Sequence, residues 1–137
     1  MKLEPIKYTD LDKKSREGYN FHKMAAILAD YGYHCIWLSN DWNGADFIAV
    51  HLDGVSDIKV QLKGGPYLNK KFIGKNLYIG FFMDHDLYVY PHDKILNLIE
   101  PLLSNDKKWL KEGTYFQTSL GKRFKEPLAA YKVKKIT

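Results

Sequence analysis

With one cysteine, Cys35, among 137 residues, the chain has no internal disulfide and no cysteine-rich zinc site. No stretch approaches the roughly 18 apolar residues of a membrane span. The opening residues Met1–Tyr8 lack the apolar core of a secretory leader. A protein that stays in the cytoplasm and binds no membrane is therefore expected. No glycine-rich phosphate loop, nucleophile elbow, helix-turn-helix or zinc finger is present, and Gly64-Gly65-Pro66 fits none of these patterns. His34, His51 and His85 have no metal-ligand spacing to Cys35 or to another histidine, which argues against zinc. Internal repeats, low-complexity tracts and Pro/Gly/Ser linkers are missing as well.

What is there fits one globular domain, 1–137, with a core over about 10–103 and a helical or irregular C-terminal extension over 104–137. Apolar residues make up 45% and charged residues 27%, the balance of a globular chain. Aromatics reach 15%, including ten tyrosines, whose rings suit surfaces that are apolar at one end and wet at the other. The net charge of +5 favours phosphate-bearing partners, although many ordinary enzymes carry as much.

Phe21, Met24, Ala25 and Leu28 recur at i, i+3, i+4, i+7, predicting a helix within Asp12–Tyr31, capped by Thr9 or Asp10 and ended at Gly32. Strand signals follow at Tyr33–Leu38, Phe47–Leu52 and Asp57–Lys63, the last two joined by a turn at Asp53-Gly54. Leu77–Phe82 and Leu87–Tyr90 form a second pair, closed by Pro91. Helical spacing returns from Ile95 to Leu103, with Asp93 as the expected N-cap and Pro101 dividing the element. A short helical signal lies at Lys107–Lys111, and Glu126–Tyr131 reads either as another short helix or as an extended closing segment. The order predicts an α/β fold with a mixed central sheet of about five strands flanked by helices.

Gly44-Ala45-Asp46 opens one strand and Gln61-Leu62-Lys63 ends the next. Residues two apart on a strand share a face, so Gln61 and Lys63 project together, and an antiparallel return brings Asp46 beside them. Taken singly, Asp46 reads as a turn aspartate, and Gln61 and Lys63 as a solvated strand face. Taken together they form a kit for phosphodiester cleavage. Asp46 and the side-chain carbonyl of Gln61 would ligate Mg²⁺ or Mn²⁺, and Lys63 would position water or stabilise charge on the phosphate.

At these residues the sequence resembles the PD-(D/E)xK nuclease superfamily, the restriction-endonuclease-like fold, over roughly Ser15–Leu103. Asp46 matches the aspartate that begins one strand, and Gln61-Leu62-Lys63 matches the second motif with Gln in place of its acidic residue. Ala45 stands where the motif usually has proline. The resemblance implies a divalent-metal-dependent nuclease acting on DNA, most readily double-stranded DNA, as a homodimer or higher homo-oligomer. It also implies a further group on the first helix, for which Glu17, Asn20 and His22 are candidates. Gln61 removes a negative charge from the metal site, which keeps open a second reading: a non-catalytic nuclease-like fold that binds nucleic acid or a partner protein.

Two basic clusters, Lys70, Lys71 and Lys75, and Lys122, Arg123 and Lys125, are interleaved with Tyr67, Phe72 and Phe116. They are candidates for holding a phosphate backbone, and solubilising lysines on loops would read the same way. His92-Asp93 resembles a dyad on paper but is better explained by a helix start. Asp41 is better explained by a turn.

Overall fold

A computed structural model describes residues 1–136. Helix α1 (Lys13–Ala29) is capped by Asp12, whose carboxylate accepts the Ser15 N–H at 2.8 Å. Thr9 and Asp10 do not cap it. They belong to a 3₁₀ turn, Tyr8–Asp10, tied to the helix by Arg16, whose guanidinium donates to the Tyr8 and Thr9 carbonyls. Phe21, Met24 and Leu28 form the buried stripe that the spacing predicts. Gly32, at φ +86°, turns the chain into the sheet, a left-handed conformation that suits glycine.

Among the described residues eight strands follow: β1 (Tyr33–Trp42), β2 (Ala45–His51), β3 (Ile58–Leu62), β4 (Tyr67–Asn69), β5 (Leu77–Met83), β6 (Asp86–Pro91), β7 (Thr114–Phe116) and β8 (Lys132–Val133). Six of them form one sheet in the order β1-β2-β3-β5-β6-β8, with β3 and β5 parallel and the other pairs antiparallel. The fold is thus α/β with a mixed sheet flanked by helices, as expected, but with six strands rather than about five. The addition is β8, whose two residues are too few to carry a periodic signal. β4 and β7 form a separate two-stranded ribbon.

Helices α2 (His92–Ile99), α3 (Lys107–Glu112) and α4 (Lys122–Ala129) complete the chain. One core cluster joins α1 to Phe47, Ala49, Val60, Leu87 and Val89. The other joins α2 and α4 to Ile79 and Phe81 of β5 and to Tyr88 and Tyr90 of β6, and on β6 these alternate with Leu87 and Val89 of the first cluster, as the period of a strand requires. Phe124 and Leu128 of α4 are fully buried in this second cluster, so the C-terminal stretch supplies core as well as surface. A 3₁₀ segment, Glu100–Leu103, follows α2, with Pro101 at the break.

Asp93 does not cap α2. Pro91 occupies the N-cap position without a side-chain bond, and the Asp93 carboxylate accepts from Gly74 N–H and from His92. Gly65, in the β3–β4 connection, is fixed by a close approach: a Cβ there would stand 2.2 Å from the Gln117 carbonyl oxygen.

The ribbon is anchored by Tyr90, whose buried hydroxyl accepts the Tyr67 N–H at 2.8 Å and donates to the Tyr67 carbonyl at 2.5 Å. Burial raises the Tyr90 pKa, so the phenol keeps its proton. Tyr90→Phe deprives both Tyr67 backbone groups of their partner while barely changing volume. It should cost about 2–3 kcal/mol, read as a lower denaturant midpoint with an unchanged m-value. An unaltered midpoint would show that water replaces the hydroxyl.

Candidate functional site

The register of β2 on β3 places the site. Phe47 faces Val60 and Ile48 faces Lys59, so Asp46 and Gln61 are the next opposed positions and share a face. Lys63 follows two residues on. The connection from β2 to β3 is longer than a two-residue turn. Asp53 folds it by accepting the Val55 and Ser56 N–H groups, at 2.7 and 2.8 Å, with Gly54 at φ +72°.

The Asp46 carboxylate ties the two strand ends together, because its Oδ2 accepts the Leu62 N–H at 2.8 Å. Its Oδ1 has no hydrogen bond among the described residues. Burial raises the Asp46 pKa above the usual carboxylate value. The Leu62 bond opposes that shift, the charge of Glu17 adds to it, Lys63 opposes it and Asp41 adds to it. Lys63 shows the converse: burial lowers its pKa, Asp46 raises it, and Lys13 lowers it further. The two groups feel each other without forming a direct ion pair. The Lys63 ammonium instead lies 4.1 Å from the centre of the Tyr67 ring. Gln61 donates weakly to the Leu62 carbonyl at 3.4 Å, which leaves its own side-chain oxygen without a protein donor among the described residues.

Of the three helix candidates, Glu17 is the one whose charge reaches Asp46. Asn20 is engaged by Tyr8, donating to its hydroxyl at 2.8 Å. His22 is exposed, with its ring 5.3 Å from that of Phe21. Asp41 lies at the end of β1 rather than in the turn itself; its carboxylate accepts the N–H of Gly44 in the turn that follows, at 2.6 Å, and it adds negative charge near Asp46.

Among the described residues no three His, Cys, Asp or Glu side chains stand together as a metal-binding group. The donor set at Asp46 is one carboxylate and one amide oxygen. That suits a hard cation that keeps most of its water, as Mg²⁺ does, and does not suit a fully protein-enclosed ion. A cation would also relieve a half-buried carboxylate that has further negative charge around it.

His92 is used structurally. It is fully buried, its Nε2 accepts the Asn69 N–H at 3.0 Å, and its Nδ1 therefore carries the proton donated to Asp93 at 2.8 Å. Burial lowers its pKa from 6.5, against the pull of Asp93. Below about pH 6.5 the unfolded chain takes up a proton that the folded chain resists, so stability is full above that value and falls as the pH drops through it. Denaturant midpoints should decline from pH 7.5 to 5.5. A flat profile would show that His92 protonates as readily folded as unfolded.

The six basic candidates are all exposed. Two of them flank the β4–β7 ribbon: Lys70 N–H donates to the Gly113 carbonyl and its ammonium lies 5.1 Å from the Trp109 ring, while Arg123 donates to the Tyr115 hydroxyl at 3.0 Å. On the ribbon's outer face Tyr67 lies 6.0 Å from Phe72 and 6.4 Å from Phe116, ring centre to ring centre.

Lys63 also lines a cleft of about 690 Å³ between α1, the first 3₁₀ turn and the β5–β6 turn, walled by Tyr8, Tyr19, Lys23, His85 and Lys135 among others. Sequence reading missed this cleft, because its walls come from five separated segments with no common period. No helix among the described residues is long and apolar enough to cross a membrane. Comparison with protein-family models, curated proteins and solved structures gives no significant match.

Proposed function

We propose that the protein is a divalent-metal-dependent nuclease of the restriction-endonuclease-like class, cleaving DNA phosphodiester bonds in the cytoplasm as a homo-oligomer. The observation that carries this reading is the meeting of Asp46 with the Gln61-Leu62-Lys63 strand end through the Leu62 N–H. Asp46 and the Gln61 carbonyl are the groups that would hold Mg²⁺ or Mn²⁺. The ion supplies polarisation of a phosphate oxygen and acidification of a bound water. Lys63 offers its ammonium to the phosphate or orients that water, and burial strengthens either contact. Glu17 adds negative charge that favours a cation at Asp46. The exposed lysines beside the β4–β7 ribbon supply spaced positive charge for a phosphate backbone. Cutting both strands of a duplex requires two sites, hence the homodimer or higher oligomer.

Incubation with duplex, branched and single-stranded DNA tests the reading. Cleavage that needs Mg²⁺ or Mn²⁺ and stops with chelator is the expected result. Intact DNA in every arm removes the enzymatic reading. The sparse donor set favours a second reading in that event, a nuclease-like fold that binds nucleic acid or a partner protein without cutting. Calorimetry separates the two: salt-sensitive DNA binding with no detectable Mn²⁺ binding marks the binding module.

A further inference from the structure

Lys63 stands between two aromatic surfaces. On one side is the exposed ring of Phe116, seated beside Tyr67 and Phe72, which are half-buried against the core. On the other is the cleft in which the rings of Tyr8 and Tyr19 meet edge to face at 5.3 Å, with the Lys23 ammonium 5.3 Å from the Tyr19 ring. The cleft falls in the roughly 300–1,000 Å³ range of small-ligand sites. Lys23, Lys63 and Lys135 outweigh the one carboxylate on its walls, Asp84. Phe116 is 42% exposed and Tyr19 40% exposed, more than a ring serving only the core would be.

We propose that these two surfaces bind a DNA strand by stacking on unpaired bases, so that the phosphate at Asp46 and Lys63 lies on a single-stranded or locally opened segment. Charge complementarity selects a polyanion, and the rings select its form. In a duplex both faces of every base are already covered by neighbours, so exposed rings gain little from it. An unpaired strand offers open base faces, and aromatic platforms beside a cationic track are the usual means of holding one. Lys63 joins the platforms, so consecutive nucleotides would lie on either side of the reacting phosphate. This rests on the nuclease reading for the position of that phosphate, and it narrows the substrate from intact duplex to an unpaired or locally opened segment. The stacking itself does not depend on catalysis.

The test uses the full chain in chelator, where no cutting occurs, with fluorescence anisotropy on three labelled probes of equal length: a natural single strand, an abasic strand with the same phosphates, and a duplex. The single strand should bind at least about 5-fold more tightly than the abasic strand, the effect of one stacked base, and more tightly than the duplex. Tyr19→Ala and Phe116→Ala should each lose about 5-fold or more on the single strand, with the abasic probe unchanged. Tyr19→Phe should keep the affinity. Both alanine changes are at half-exposed positions, and matched thermal melts confirm folding. Equal affinity for natural and abasic strands, or preference for the duplex, overturns the proposal. Stacking-dependent binding without any metal-dependent cleavage leaves the proposal standing and removes the nuclease reading. Cleavage without base-dependent binding does the reverse.

Discussion

Asp46→Asn should abolish metal-dependent cleavage while making the metal-free protein more stable. The two effects have one cause. Asp46 is half-buried, its pKa is raised, and Glu17 and Asp41 add charge of the same sign. The folded chain therefore holds its ionised form at a cost. For an acid with a raised folded-state pKa, that cost is present at neutral pH and fades as the pH falls through the folded value. Asparagine has the same shape, still accepts the Leu62 N–H, and carries no charge to desolvate. Under the nuclease reading it would also lose the anionic oxygen that a bound ion needs, and several kcal/mol of transition-state stabilisation would go with that ion, about 10³-fold in rate.

Lys63→Met should behave in parallel. The thioether keeps the apolar stem against Tyr67 and removes an ammonium whose pKa burial already lowers. Measured together, cleavage rates and denaturant midpoints of the two variants should move in opposite directions. Full cleavage in both would identify a contaminating nuclease, and lower midpoints in both would show that the charges serve the fold. This is the pattern expected where local energetics are set against stability for the sake of chemistry.

The placement of the candidate residues was legible because it follows from strand period alone. Gln61 and Lys63 share a face by being two apart, and the β2–β3 return fixes Asp46 opposite Gln61 once Phe47 faces Val60. Helix α1 was legible for the same reason, through Phe21, Met24 and Leu28. What period could not reveal was anything held by non-local bonds. β4 and β7 are three residues each and exist because Tyr90 and the Gln117 N–H bond to Pro66 hold residues far apart in sequence. Asp93 has the composition of an N-cap, but its carboxylate is taken by Gly74 from another segment. Glu17 was one of three candidates on α1, and neither strand nor helix period could choose it over Asn20 and His22; its charge at Asp46 does so in the folded chain.

Gln61→Glu should raise Mn²⁺ affinity by at least about 10-fold and shift the pH range of activity upward. A second carboxylate opposite Asp46 restores the missing negative charge, and an added unit charge about 4 Å from a cation is worth up to about 4 kcal/mol per cation charge at an effective dielectric of 20. The gain is reduced by repulsion in the metal-free protein. Asp46 already has a raised pKa, and a neighbouring carboxylate raises it further, so the pair shares a proton on titration. Protons then compete with the ion, and affinity should fall more steeply with acid in the variant than in the parent chain. The metal-free variant should also be less stable at neutral pH and recover as the pH falls, the sign required when folded-state carboxyl pKa values are raised. Calorimetry with Mn²⁺ at two pH values reads the affinity, and cleavage at limiting Mn²⁺ reads its consequence. If the parent chain cuts, the variant should cut at lower metal concentration. If the parent is silent because Gln61 starves the site of charge, the variant should gain activity. Absence of divalent binding in both proteins, at either pH, would place the function of Asp46 outside metal chemistry altogether.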